Sequence, residues 1–312
     1  MNSDTGSSTD MMVTPIRTPL LNGGGVLRNI HIKDETVQHT GAFKFRGVSR
    51  KIGQDITAGE LITASTGNHG AAVAAVGAAN GRPCRIFVPD STPSIKLGRM
   101  TGAGASVSRV TGSYDACEKT ARKYAAETGG TYIPSFDDAE IIKGHAELFT
   151  EVVEDIGIPD IIIVPIGGGG LAAAAALTFR NHPNTRVVGV ELAGAAAMKA
   201  SLQARQRVEV DVPQGVAEGL CVRKVGELPY RVASALNLSV VEVTVEQLSA
   251  ACRILWQDFG VRAELAGSAA LAAVLAHGIS TRAKVACVAS GGNIDDALWL
   301  DITSQHLKGN AA

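Results

Sequence analysis

Ile161-Ile-Ile-Val-Pro-Ile-Gly167-Gly-Gly-Gly170-Leu171 leads directly into the alanine run Ala172–Ala176. An uninterrupted apolar stretch of this length reads as a strand buried on both faces, and the alanines read as the helix that follows. Four successive glycines suit neither element. They belong at the turn, where backbone without Cβ atoms lets several N–H groups converge on an anion at a helix N-terminus. A phosphate is the natural guest. No Lys-Ser/Thr pair follows the glycines, so this is not a nucleotide P-loop. The plainer alternative is a tight strand-to-helix turn that binds nothing.

Working outward, the same pattern repeats. Strands are expected at Leu61–Ser65, Arg85–Pro89, Val187–Glu191, Val240–Thr244 and Lys284–Ser290 as well as at Ile161–Ile166. Helices are expected at Gly70–Ala79, Asp115–Thr128, Ala139–Asp155, Ala172–Arg180, Val245–Phe259 and Gly267–Ala276. Alternation of this kind predicts an α/β fold with right-handed crossovers. The best seam lies at Pro134–Asp138, where a turn-rich Pro-Ser-Phe-Asp-Asp precedes a long helix.

The chain of 312 residues is long enough for two domains. Its net charge of −1 argues against a protein devoted to a nucleic-acid backbone. Five scattered cysteines, Cys84, Cys117, Cys221, Cys252 and Cys287, form no C-x-x-C pair. They read as structural thiols in a reducing cytoplasm. No apolar run is long enough to span a membrane. Residues 1–12 are small and polar and are expected to be a disordered leader.

The glycine loop also supports a rival. Gly168, Gly170 and Ala173 satisfy G-x-G-x-x-A after a strand, and Glu191 ends the next strand, where a dinucleotide-binding protein keeps a ribose-binding acid. A nicotinamide-dependent oxidoreductase would explain that loop and nothing else.

Three further segments remain. Thr40-Gly-Ala-Phe43-Lys44-Phe-Arg46-Gly sets a lysine between two phenylalanines. Read as an alternating strand, it would put Lys44 and Arg46 on one solvated basic edge. A lysine in an apolar, cationic setting can instead lose its proton near neutral pH and attack a carbonyl. Ser65-Thr66-Gly67-Asn68-His69 sits where a strand gives way to a helix. Ser65 or Thr66 can cap that helix, and the free amides beyond can hold a carboxylate. Ser290-Gly-Gly-Asn293 again follows a strand. In open α/β sheets ligands bind beyond the carboxyl ends of strands, which is where these loops fall.

Together, in this order and spacing from about Thr18 to Asp295, the four segments resemble the fold-type-II pyridoxal-phosphate enzymes, the tryptophan-synthase-β superfamily. The nearest branch is that of threonine/serine dehydratases and serine racemases. The resemblance implies two open, twisted, mostly parallel sheets flanked by helices, with the cofactor in the cleft between domains. Residues 13–58 and 138–312 would form the large cofactor-binding domain, and 59–137 the small substrate-loop domain. It implies that Lys44, beside Phe43, is the Schiff-base lysine. Gly167, Gly168, Gly169, Gly170 and Leu171 would hold the cofactor phosphate, Asn68 its 3-hydroxyl and Ser290 its pyridine nitrogen. Ser65, Thr66, Gly67, Asn68 and His69 would take the substrate carboxylate.

The implied activity is an ammonia-lyase that turns a β-hydroxy amino acid, such as L-threonine or L-serine, into a 2-oxo acid and ammonia. Lys44 would be the general base. Racemisation or β-replacement is the alternative within the same fold, with Thr66 as a second acid–base group. Some members hold a divalent cation through the acid at the Glu191 position and an acid six residues on; here that residue is Ala197, so no metal is expected. The implied partners are a small amino acid and a second copy of the chain, with neither nucleic acid nor membrane.

Overall fold

The structure is a computed structural model that describes residues 14–213, 215–279 and 282–304. The expected leader lies outside the described residues. Along the chain run β1 (Leu20–Asn22), β2 (Ile30–Asp34), α1 (Lys44–Gly53), β3 (Leu61–Ala64), α2 (Asn68–Ala79), β4 (Cys84–Pro89), α3 (Ser94–Gly102), β5 (Ser106–Val110), α4 (Tyr114–Thr128) and β6 (Thr131–Tyr132). There follow α5 (Ala139–Ile156), β7 (Ile161–Pro165), α6 (Gly170–Phe179), β8 (Arg186–Leu192), α7 (Ala197–Ala204), α8 (Glu227–Ala235), β9 (Ser239–Val243), α9 (Val245–Phe259), α10 (Ala269–Ala276), β10 (Val285–Ala289) and α11 (Asp296–Ser304).

Two sheets result. The larger has the order β1-β2-β10-β7-β8-β9, and the smaller β5-β4-β3-β6. Every pairing is parallel except that of β1 with β2. Parallel strands need helical crossovers, which cover both faces, so central strands such as β3 and β10 are buried along their whole length. The larger sheet packs one core against α9 and α10 and another against α5 and α6. Strand ends are punctuated as local chemistry requires: Asp138 caps α5, and Thr244 with Gln247 forms a capping box on α9. Cys84, Cys117, Cys252 and Cys287 are buried free thiols. No helix among the described residues is long and apolar enough to cross a membrane.

The segment around Lys44 is the first turn of α1, so the plainer alternative of a solvated strand edge falls away. Arg46 is buried and ion-paired through Nε to Glu35 at 2.8 Å and through Nη1 to Glu151 at 2.6 Å. Lys33 joins the same cluster through Glu151. A buried charge survives only when paired in this way, and removing one partner typically costs about 3–5 kcal/mol. This ionic cluster therefore pins β2, α1 and α5 together and fixes where α1 begins.

Candidate active site

The loops that follow β3, β7 and β10 and the turn into α1 meet at one place. Phe43 N–H donates to the Ser290 carbonyl at 3.0 Å, and Ala42 bridges to Gly291. These bonds lay the Lys44 turn across the end of β10. The Lys44 amine donates to the Ser135 carbonyl at 2.6 Å and lies near the rings of Phe43 and Phe136, 5.3 and 6.0 Å from their centroids. It has no carboxylate partner among the described residues. Desolvation in this setting pulls its pKa down to about 8, which raises the fraction of free, nucleophilic amine at neutral pH.

Phe136 also shapes the glycine loop. A Cβ on Gly168 would collide with its ring, and one on Gly170 would lie 3.1 Å from its Cβ. Gly169 has φ +94°, and a Cβ there would meet Pro229 and Met198 at 2.8 and 2.9 Å. One face of the loop is thus filled by protein, and that packing by itself requires glycine at these positions. The loop ends at the N-terminus of α6, with Leu171 buried behind it.

The loop after β3 divides its labour. Ser65 Oγ accepts the N–H groups of Gly67 and Gly70, at 3.2 and 3.0 Å, and so caps α2. Thr66 does not cap; its hydroxyl donates to Glu218 at 3.4 Å, and Glu218 is ion-paired to Lys96 of α3 at 2.6 Å. Gly67 is exposed at the head of α2. The His69 ring turns away into the smaller sheet, with Nε2 at 3.0 Å from Thr63 Oγ1 and 3.1 Å from the Ile133 carbonyl. Desolvation, then the nearby Lys44 charge, lower its pKa to about 3. The imidazole stays neutral, and any anion contact at this position falls to its backbone.

Asn68 is held from both sides. Its Nδ2 donates to Glu264 at 2.7 Å, and its Oδ1 accepts from Asn293 Nδ2 at 2.8 Å. Glu264, Glu218, Phe136 and Asn293 carry the site's geometry, yet the sequence reading gave them no role. Asn293 lies in a quoted loop and Glu264 in none, and the partners of both are far away in the chain.

Glu191, the residue on which the dinucleotide reading turned, is buried. Its two oxygens accept the Met198 and Lys199 N–H groups at 2.7 and 2.9 Å. It is occupied as the cap of α7, so it offers nothing to a ribose. Burial pushes its pKa up to about 7. Among the described residues no cluster of three or more His, Cys, Asp or Glu side chains could cage a cation.

A family described as pyridoxal-phosphate dependent enzyme matches residues 11–291. The chain belongs to that family. An L-threonine ammonia-lyase from Geobacter sulfurreducens is 36% identical over 273 residues, which is 85% of this chain and 67% of the relative. A biosynthetic L-threonine dehydratase from Mycobacterium leprae is 34% identical over 290 residues, 89% of this chain and 67% of the relative. Solved structures agree. The processed form of threonine deaminase isoform 2 from Solanum lycopersicum superposes with TM-score 0.86 at 30% identity, covering 95% of this chain and 89% of that one. Maize serine racemase gives 0.85 at 28% identity, covering 96% and 94%. The two-sheet α/β architecture is that of these pyridoxal-phosphate enzymes. The site fits the cofactor on its own evidence: a desolvated lysine amine, without a carboxylate partner among the described residues, stands near an aromatic ring that also backs a glycine cradle at a helix N-terminus.

Proposed function

We propose that this pyridoxal-phosphate enzyme is a cytoplasmic, homodimeric ammonia-lyase acting on β-hydroxy amino acids of the threonine and serine class. The observation that carries the reading is Lys44, whose amine has no carboxylate partner among the described residues and whose pKa is drawn down to about 8. The curated relatives named threonine ammonia-lyase and dehydratase supply the reaction class. Buried free thiols support a reducing compartment.

In this reading Lys44 holds the cofactor covalently, with Phe43 beside it. Gly167, Gly168, Gly169, Gly170 and Leu171 hold the phosphate, Asn68 the 3-hydroxyl and Ser290 the ring nitrogen. The cofactor, when bound, supplies the electron sink that stabilises negative charge at the substrate α-carbon. Ser65, Thr66, Gly67, Asn68 and His69 form the loop that orients the substrate carboxylate; the Ser65 and Gly67 N–H groups are already bonded to the Phe87 carbonyl and Ser65 Oγ, so the contact falls to the others. Lys44 Nζ, once free, takes the α-proton as general base. Ser290 carries no formal charge and does not hold a proton on the ring nitrogen as a carboxylate would, which favours prompt loss of the β-hydroxyl. Residues 13–58 and 138–312 act as the cofactor-binding unit and 59–137 as the substrate-loop unit.

Racemisation is the second reading, because Ser65 and not Thr66 takes up the α2 amides and leaves the Thr66 hydroxyl outside that cap. Its bond to the Glu218 carboxylate is what restrains it. The test is to offer the holoenzyme L-threonine, L-serine and larger β-hydroxy amino acids and to measure 2-oxo acid and ammonia. Release that vanishes in Lys44→Ala is expected. No release from any of them would overturn the lyase reading.

A further inference from the structure

We propose that Glu264 is a positioning residue: it fixes the side-chain amide of Asn68 so that an N–H, and not the carbonyl, is presented to the oxygen on the cofactor ring. The inference rests on the reading that Asn68 faces that ring.

The amide of an asparagine is nearly symmetric in shape, so packing alone does not choose between its two orientations; hydrogen-bond partners do. Asn68 has partners of both kinds. Asn293 Nδ2 donates to Asn68 Oδ1 and also to the Thr40 carbonyl, each at 2.8 Å. A backbone carbonyl only accepts, so the nitrogen of Asn293 is fixed, and with it the carbonyl of Asn68. Glu264 Oε1 takes one of the two N–H groups of Asn68 at 2.7 Å. What remains free on Asn68 is a single N–H donor.

Glu264 is itself held in place. Its backbone N–H donates to the Gly291 carbonyl at 3.0 Å. Gly291 approaches so closely that a Cβ there would lie 2.9 Å from Glu264 Oε1 and 3.1 Å from Asn68 Nδ2. This explains a glycine in Ser290-Gly-Gly-Asn293 by the room that the Glu264–Asn68 contact needs.

The carboxyl has no ion-pair partner among the described residues. Lys96 and Arg99 of α3 and Glu218 act on it at longer range, Lys96 being paired with Glu218 and Arg99 donating to the Asn293 carbonyl. Desolvation outweighs the Asn68 bond and the two cations and pushes its pKa up to about 7. The ionised carboxylate can only accept, and locks Asn68 as drawn. The protonated acid can donate, so it no longer opposes the reversed amide and leaves Asn293 alone to hold the orientation. Cofactor retention should therefore strengthen as pH rises through neutrality.

The experiment compares wild type, Glu264→Gln, Asn293→Ala and Asn68→Ala as reconstituted holoenzymes. It measures cofactor affinity by equilibrium dialysis and the visible absorption of the bound cofactor across the neutral range. The wild type should tighten with pH. Glu264→Gln, whose amide can donate to a reversed Asn68, should lose the part of that pH dependence that Glu264 contributes, keep the part that follows the Lys44 amine, and bind about tenfold more weakly on the alkaline side, as expected for one misdirected hydrogen bond. Asn293→Ala should weaken binding but keep a neutral-range step, because Glu264 still titrates. A folded Glu264→Gln protein with wild-type affinity and pH curve overturns the proposal. Should that variant not fold, an Asn293→Ala protein whose affinity and pH curve both match the wild type overturns it instead, because Glu264 would then be the only side-chain partner left on Asn68 among the described residues and its titration should show more strongly. Wild-type affinity and spectrum in Asn68→Ala would remove the reading beneath it, a result distinguishable because it does not involve Glu264.

Discussion

Gly168 and Phe136 pack so tightly that a Cβ on the glycine would lie 2.1 to 2.3 Å from three atoms of the phenylalanine ring. A side chain at Gly168 therefore strikes protein before it meets any anion, and even alanine is a severe test. Gly168→Ala should displace Phe136, and with it the aromatic wall near Lys44, and lower cofactor affinity at least tenfold. The double variant with Phe136→Leu should recover part of the loss by making room. Equilibrium dialysis of the cofactor, with circular dichroism to verify the fold, reads the outcome. Equal affinity in Gly168→Ala and wild type would remove the argument that packing requires this glycine.

Lys44 makes a pH-dependent prediction. Its pKa is drawn down to about 8, chiefly by desolvation. Only the unprotonated amine attacks the cofactor aldehyde. Reconstitution of the cofactor-free protein should accelerate as pH rises toward about 8 and then level off. The sign is set by the lowered value: the folded protein gives up this proton earlier than the unfolded chain, so more free amine is present at neutral pH than an ordinary lysine offers. Borohydride reduction followed by peptide mapping should find the cofactor on Lys44. A label on another lysine would sink the assignment, and a plateau only near pH 10.5 would show an ordinary amine.

How much of this could be read from sequence depends on where each residue's partners lie. Central strands such as β7 and β10, apolar throughout, were legible to within a residue or two because both faces are buried. β2 was not, since Lys33 and Asp34 break its apolar pattern and are buried only because Glu151 and Thr36 arrive to pair with them. β5 lies at a sheet edge, and its half-exposed Ser-Val-Ser-Arg-Val carries little signal. The start of α1 leaves no local signal because no side chain caps it; the buried ion pairs of Arg46 hold it in place. In the site, lysine, glycine run and loop residues stood out by local pattern. Glu264 did not, because it meets Asn68 only after 196 residues of chain.

Glu191 carries two expectations. Its oxygens already accept two α7 amides, and Ala197 adds no ligand. Chelation followed by dialysis should leave turnover nearly intact; a large loss restored by magnesium or calcium would show that other ligands assemble a cation site. Its pKa, raised by burial to about 7 from 4.5, also bears on stability. An acid raised in the fold contributes stability that is complete below the unfolded value and is lost as pH rises through the folded one. The unfolding midpoint should fall between about pH 4.5 and about pH 7, and Glu191→Gln should flatten part of that fall. Only part is expected, because Glu264 shifts in the same direction. An identical pH curve in the glutamine variant would contradict the assignment.

The balance between elimination and racemisation turns on Thr66. Racemisation needs a proton donor on the side of the substrate opposite Lys44. Ser65 takes the capping role, so the Thr66 hydroxyl is not sequestered by α2. It points instead at Glu218, 3.4 Å away, and Glu218 is clamped by Lys96. A hydroxyl whose proton is directed at a carboxylate is poorly aligned with a carbon elsewhere, and the β-branch of threonine restricts its swing. Misplacement of about 1 Å can cost roughly 100-fold in rate. With L-serine the wild type should therefore form pyruvate faster than D-serine. Glu218→Ala should release the hydroxyl and raise the ratio of D-serine to pyruvate several-fold. Thr66→Ala should abolish D-serine formation while elimination, which uses Lys44, survives. Following both products in one incubation decides the matter. If D-serine outpaces pyruvate in the wild type, Thr66 is already aligned with the α-carbon and the Glu218 contact does not restrain it.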